Sequence, residues 1–439
     1  MAYAIGVLVL VLGVLLSVGL HEVGHMVPAK KFGVRVSQYM VGFGPTLWSR
    51  TRGETEYGFK AIPLGGYVRL IGMYAPLSAT GTTPGRWGAE LAQAARDASN
   101  EEVRPGEEGR AFYRLSVPKK VIVMLGGPVM NLVIAVVLLA VVLIGFGILT
   151  PTTTVESVSQ CVVPASAGTA RACTSADPIA PAAAAGILPG DRIVSLNGIA
   201  ATSWDALTEQ IRKSGGVAVP LELERQGVLV TTTVTPLLTE RPVFDAQGNA
   251  VLDKTGNYVT EAAGFLGVSP SSTWVHQPAG AVASQTWKAV SGTASIIVGL
   301  PAKLVDVARS AFGHAPRDPN SVFGLVGVGR IAGEIAAAHG PGATLSARIA
   351  EMLGLIASLN IALFVFNLVP LVPLDGGHVA GALWEGVRRQ VSRVRGRGRT
   401  GPADVARLMP LVYAVSVVLV VMSVLLIYAD VVNPVTLGG

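Results

Sequence analysis

Charge is scarce in this 439-residue sequence: 14% of the residues are Asp, Glu, Lys or Arg, half are hydrophobic, and mean hydropathy is positive. That balance lies outside the usual range of a soluble globular chain and makes a bilayer the natural solvent. The first apolar run, AYAIGVLVLVLGVLLSVGL (residues 2–20), lacks the basic n-region and small-residue cleavage site of a signal peptide, so it reads as a retained membrane helix. Cysteine is limited to Cys161 and Cys173. Their spacing excludes a CxxC zinc or redox site, and a disulfide across that polar loop stands against two reduced thiols. No inverted repeat is evident, which argues against a transporter whose broken helices carry an ion path.

Besides the first run, three apolar stretches are long enough to span a bilayer, at residues 121–149, 352–374 and 408–428. Lys and Arg orient them. The connections 26–120 and 375–407 carry fourteen and seven basic residues against eight and three acidic ones, so they are expected on the cytoplasmic side. The middle connection, with both cysteines, and both termini fall outside. The run RRQVSRVRGRGR (388–399) sits beside a span and reads as a topology anchor or anionic-lipid contact, not as a nucleic-acid site.

The first apolar run leads directly into HEVGH. If the helix continues, His21 and His25 lie four apart on one face and can bind one metal ion, while Glu22 can activate a water. The alternative is a helix end whose polar residues meet water. A tetrahedral catalytic zinc needs a third protein ligand, and depth points to NLVPLVPLDGGH (367–378). About 19 helical residues, roughly 28 Å of rise, precede HEVGH, and a similar length of span running the same way precedes Asp375. Pro370 and Pro373 break the helix there, which at such depth requires burial in protein or a wet cavity. Asp375 is therefore either a metal ligand or the cap of the following Gly-Gly turn.

Five segments in order, HEVGH, GFGP (42–45), IPLGGYVRLIGM (62–73), GGPVMN (126–131) and NLVPLVPLDGG (367–377), resemble the site-2 protease family of intramembrane zinc metalloproteases, in its bacterial RseP-type branch. The resemblance implies Zn2+ held by His21, His25 and Asp375, with Glu22 as general base. Asn367 would contact the substrate backbone or oxyanion, unless it is ordinary interhelical glue. His378 would stand behind the ligands. The segment EYGFKAIPLGGYVRLIGM reads as a β-hairpin around Pro63 and Gly65-Gly66, placed by the resemblance as a re-entrant loop near the zinc. Its residues Gly66, Tyr67, Val68, Arg69 and Leu70 offer an edge to an unwound substrate strand, the alternative being a purely structural hairpin. Residues 76–110 suggest a short helix in a flexible loop, with no chemistry assigned. PAAAAGILPGDRIVSLNGIAATSWDAL (181–207) resembles a single PDZ domain of the bacterial protease type, with strands at 192–196, 221–225 and 228–234; its groove binds a peptide or acts sterically.

The expected fold is a multi-pass α-helical membrane protein: four transmembrane helices, a cytoplasmic-side re-entrant β-hairpin and an extracytoplasmic α+β PDZ domain. Expected boundaries are a first transmembrane helix at 1–26, a cytoplasmic segment at 27–119, a second helix at 120–150 and the PDZ domain with insertions at 153–269. An amphipathic juxtamembrane region follows at 270–350, then a third transmembrane segment at 351–378, a basic loop at 379–407 and a fourth helix at 408–429. The expected function is an intramembrane zinc endopeptidase in a bacterial plasma membrane. It would cut single-pass transmembrane proteins already trimmed outside, such as anti-sigma factors or signal-peptide remnants. A noncatalytic PDZ scaffold is the rival from another class, and it has no need of Glu22 or of zinc.

Overall fold

The computed structural model describes residues 1–80, 88–162, 173–174, 177–243, 259–313, 321–339, 343–396 and 401–435. Residues 81–87 of the segment 76–110, 163–172 of the cysteine loop, most of the insertion at 244–260 and 397–399 of the basic run lie outside them. The chain divides into two units, Met1–Phe146 with Gln277–Gly439, and Gly147–His276.

The first unit opens with α1 (Ala2–Lys31), which runs unbroken through HEVGH and ends with Lys30 and Lys31 in its last turn, where cations meet the negative end of the helix dipole. Two long strands follow, β1 (Val36–Arg52) and β2 (Thr55–Leu70). The hairpin turn falls at Gly53, with φ +65°, and not around Pro63 as the sequence suggests. The bend at Pro63–Gly66 is where β2 changes partner. Its first part pairs with 46–52 on one side and 38–41 on the other; its last part, Gly66 to Leu70, pairs with residues 36–41 alone. The partner strand escaped the sequence reading because its alternation is interrupted by Gly42, Gly44 and Pro45.

Beyond β2 come the short α2 (Leu77–Thr80), then α3 (Ala89–Glu101) and α4 (Val117–Ala140), which continues as a π-helical segment to Phe146. The second unit is built on strands. The sheet order is β10-β3-β4-β6-β7, from Val268–Val275, Ile148–Val158, Arg192–Leu196, Val219–Arg225 and Val228–Val234, with the short β5 (Ile199–Ala200) on β4. A separate pair joins β8 (Leu237–Pro242) to β9 (Thr260–Phe265). Two helices complete it, α5 (Pro181–Ala184) and α6 (Trp204–Lys213). Burial in β6 alternates, placing Val219, Leu221 and Leu223 in a core with Ile193, Leu196, Leu207 and Ile211. Ser203 caps α6 by accepting from the Ala206 amide at 3.2 Å. Cys161 and Cys173 form a disulfide, Cα–Cα 5.9 Å. The unit begins before residue 153 and ends after 269 because β3 and β10 pair along their length, from Ile148↔Val275 to Val158↔Val268.

Returning to the first unit, α7 (Ala279–Val298) and α8 (Leu300–Phe312) meet at a 69° bend, followed by α9 (Leu325–Ala337) and α10 (Leu345–Asn367). The chain breaks after Asn367, where Pro370 and Pro373 cannot continue a helix, and Asp375 starts α11 (Asp375–Val394). The expected basic loop is thus largely helical. The last element is α12 (Met409–Val432). Four helical stretches are long and apolar enough to cross a membrane, Ala2–Lys31, Val117–Phe146, Leu345–Asn367 and Val405–Val432, or five if α7 and α8 count as one bent span. Val417, Val418, Val420, Val421 and Val424 of α12 are each more than 60% exposed, which only an apolar solvent makes inexpensive.

Candidate metal centre

Two glycine positions bring the motifs of α1 and α4 together. A Cβ on Gly24 would lie 2.2 Å from the Gly126 carbonyl oxygen, and one on Gly126 would lie 2.0 Å from that of Gly24. The helices therefore cross backbone to backbone, as small residues permit in membrane bundles. This crossing turns His21 and His25 toward α4. The break after α10 then delivers Asp375 to the same point.

His21 Nε2 and His25 Nε2 are 3.2 Å apart, and Asp375 Oδ2 lies 3.3 Å from the first and 3.4 Å from the second. A tetrahedral ion with bonds of about 2.0–2.1 Å holds its ligand atoms about 3.3 Å apart. The triangle has that edge length on all sides. Oδ2 is buried without a hydrogen-bond partner, as an atom reserved for a metal would be. Gly127 supplies the second sign of fit: a Cβ there would lie 2.2 Å from His25 Nε2 and 2.6 Å from His21 Nε2. The space beside both nitrogens stays open because the residue has no side chain. Among the described residues these three form the cluster with metal-ligand spacing.

The outer nitrogens are also held. His25 Nδ1 donates to the Val123 carbonyl at 2.7 Å, which fixes the tautomer that frees Nε2 for a metal. His21 Nδ1 lies 3.1 Å from the Asn131 amide group, and Asn131 is fully buried with its Oδ1 unpartnered. A metal-bound His21 carries its proton on Nδ1, so the amide oxygen is the proper acceptor, in the orientation that exchanges Asn131 oxygen and nitrogen. Asn131 stands in GGPVMN, where an Asn in an apolar run was the available signal.

Glu22, 9% exposed, faces the last part of β2. Gly66 approaches so closely that a Cβ would lie 3.2 Å from Glu22 Cγ and from Val18, and the Val68 amide faces the Glu22 carboxylate. Tyr39 ties the partner strand to α1 by donating to the Gly19 carbonyl at 2.8 Å. The Ile71 amide donates to Arg35 at 3.2 Å. By strand alternation Arg69 and Tyr67 turn their amides to β1, while Gly66, Val68 and Leu70 turn theirs away. Leu70 itself is buried, whereas the Arg69 side chain is half exposed. Asn367 is half-buried at the end of α10, and no bond ties it to the ligands among the described contacts. The His378 ring lies 6.4 Å from that of Tyr74.

A glutamate beside two histidines and a carboxylate at metal-binding spacing, all borne by helices apolar enough to span a bilayer, defines a membrane-embedded metallopeptidase. Sequence comparison narrows the class. The chain belongs to peptidase family M50, whose model matches residues 9–409. It is 35% identical over 446 residues to a Mycobacterium tuberculosis protein named zinc metalloprotease Rip1, with all of both chains covered. A Mycolicibacterium smegmatis protein of the same name is 32% identical over 451 residues, again along both whole chains. Metalloprotease MmpA of Caulobacter vibrioides is 28% identical over 403 residues, covering 88% of this chain and 87% of that one.

Proposed function

We propose that the protein is an intramembrane zinc endopeptidase that cuts the transmembrane helix of single-pass membrane proteins already trimmed outside, such as anti-sigma factors or signal-peptide remnants. The observation that carries this reading is the His21, His25 and Asp375 triangle, with Glu22 set between it and the edge of β2. His21, His25 and Asp375 would hold zinc, which when bound acidifies a water and polarises the scissile carbonyl. Glu22 takes the proton that the attacking water loses and passes it to the departing amide nitrogen. Its low exposure keeps bulk water from competing for that proton.

A helix in lipid keeps its amides bonded to itself, so it must be unwound before it is cut. The open side of Gly66 to Leu70 receives the unwound stretch as an added strand. Tyr67 and Arg69 keep that edge paired to β1, and Asn367 contacts the substrate backbone. Phe43, Leu47, Trp48, Phe59 and Ile62, each at least 44% exposed, support a hairpin tip that re-enters the bilayer.

We also infer an orientation in a bacterial plasma membrane, with the metal centre toward the cytoplasmic face and unit Gly147–His276 outside as a PDZ domain offering a peptide or substrate contact. The basic bias of 26–120 and 375–407 and the Cys161–Cys173 disulfide support it. The test of the chemistry is Glu22→Gln, expected to retain stoichiometric zinc and lose cleavage, beside Asp375→Ala, expected to lose both. Cleavage persisting in Glu22→Gln would sink the mechanism.

A further inference from the structure

The segment between β2 and α4, to which the sequence assigns no chemistry, links the edge strand to the far end of the chain. At the C-terminal end of α3, the Ser99 carbonyl accepts from the Gly72 amide at 3.3 Å and its hydroxyl from the Tyr74 amide at 2.9 Å, just past β2. Glu102, next in line, accepts from Arg69 through Oε1 at 2.7 Å and from Ser37 through Oε2 at 2.9 Å, so it touches both strands of the edge pair. Arg35 donates to the Glu102 carbonyl and pairs with Glu107 at 2.9 Å.

Farther back on α3, Arg96 Nη2 reaches both carboxylate oxygens of Asp404, at 2.8 and 2.9 Å, with side chains only 4% and 5% exposed. Asp404 immediately precedes the stretch Val405–Val432. Its neighbour Ala403 donates its amide to Glu385 of α11 at 3.0 Å, and Glu385 also accepts from Lys120 of α4 at 2.8 Å. Residues 403 and 404 thus clasp α3 to α11, the helix that begins at Asp375.

We propose that Arg96 and Asp404 are positioning residues for proteolysis: their ion pair sets where the edge of β2 stands relative to Glu22 and Asp375, acting through Ser99 and Glu102. This rests on the strand-addition reading above. A buried ion pair gains little net stability, because desolvation offsets its attraction, but it tolerates few geometries. The half-exposed Arg69–Glu102 contact is too weak to fix the strand alone. Pairing with β1 and the Tyr39–Gly19 bond hold the strand from one side; from the other, it is held through the buried ion pair on α3. A displaced edge penalises most the substrate that strand pairing must unwind.

The test uses the full-length zinc-loaded protein in bilayers, with Asp404→Asn and the charge-keeping Arg96→Lys. Asp404→Asn should lower kcat/KM roughly tenfold or more on a stable transmembrane helix, but less than about threefold on the same helix loosened by Gly and Pro near the cut. Zinc content should stay stoichiometric. Amide hydrogen exchange over 66–74 should quicken about tenfold, with α1 and α10 unchanged. Arg96→Lys should show the same pattern, attenuated, and it serves alone if Asp404→Asn does not accumulate. Equal loss on both substrates, no loss on either, or unchanged exchange over 66–74 overturns the proposal. Exchange needs no cleavage, so an inactive wild type would defeat the protease reading while the clasp is still decided.

Discussion

Each of the two units buries an aspartate, and the two are bonded to different ends. In Gly147–His276, Asp191 is 1% exposed, yet each of its oxygens is used: Arg225 Nε and Nη2 reach Oδ1 and Oδ2 at 2.8 Å, and the Leu188 amide reaches Oδ2 at 2.8 Å. Such a group ties a loop to a sheet, and its bonds are complete within the protein. In the helical unit, Asp375 Oδ2 is buried with no hydrogen-bond partner and faces two imidazole nitrogens. Buried polar atoms left incomplete cost free energy unless something outside the chain completes them. An unpartnered buried atom alone does not mark the candidate centre, since Thr208 Oγ1 and Gln210 Oε1 of Gly147–His276 are buried without a partner too; an unpartnered carboxylate oxygen beside two imidazole nitrogens at metal-ligand spacing does.

The sharpest way to break that contrast is Gly127→Ala. The added methyl would lie within 2.6 Å of both imidazole Nε2 atoms, so zinc per chain should fall to background and cleavage should vanish, while exchange protection in Gly147–His276 is unchanged. Stoichiometric zinc in this variant would mean that the opening beside Gly127 does not belong to the metal. Asn131→Ala should act more mildly, weakening zinc affinity by about 10–100-fold, as read by competition with a chelator. An effect no larger than that of Ser17→Ala would remove Asn131 from the centre.

Val68→Pro and Arg69→Pro come next, since they separate the edge from the sheet that carries it. Val68→Pro removes an amide that faces Glu22 and should lower kcat about tenfold with zinc retained. Arg69→Pro removes an amide turned to β1, so it should loosen the hairpin first, with faster exchange over 36–41. Matching effects of the two would show that the amides do not alternate.

Much of the helical unit was legible because apolar runs, prolines and charge bias each carry a one-dimensional signature. His21, Glu22 and His25 were legible because a helix fixes the i, i+4 geometry, and Asp375 because depth along two like-directed spans can be counted. Asn131, Val123 and Gly127 were not assigned, since their roles depend on where α4 crosses α1, and the crossing is set by Gly24 and Gly126 in space. The first strand of the hairpin was missed for a related reason: β1 pairs on both sides of an interrupted alternation. Arg96 and Asp404, 308 positions apart, left no sequence signal at all.

The smallest effect expected belongs to Asp191, whose bonds are complete. Hydrogen bonds from Arg225 hold the Asp191 carboxyl below the usual carboxylate range; burial opposes them, and the Leu188 amide adds to the downward shift. A depressed folded value means the carboxylate stabilises the fold wherever it is ionised in the unfolded chain too, that is, above about pH 4, and the contribution is lost as pH falls through the folded value. Between pH 5 and 8, Asp191→Ala should therefore cost a constant amount, about 2 kcal/mol, read as the opening free energy of the Leu188 amide by hydrogen exchange. Below pH 4 the gap between variant and wild type should close. At each pH the variant and wild type should carry the same amount of zinc, because nothing in this network reaches for a ligand. A gap that instead widens as pH falls would mean that the neutral acid is the bonded form, and Asp191 would then be incomplete in the same sense as Asp375.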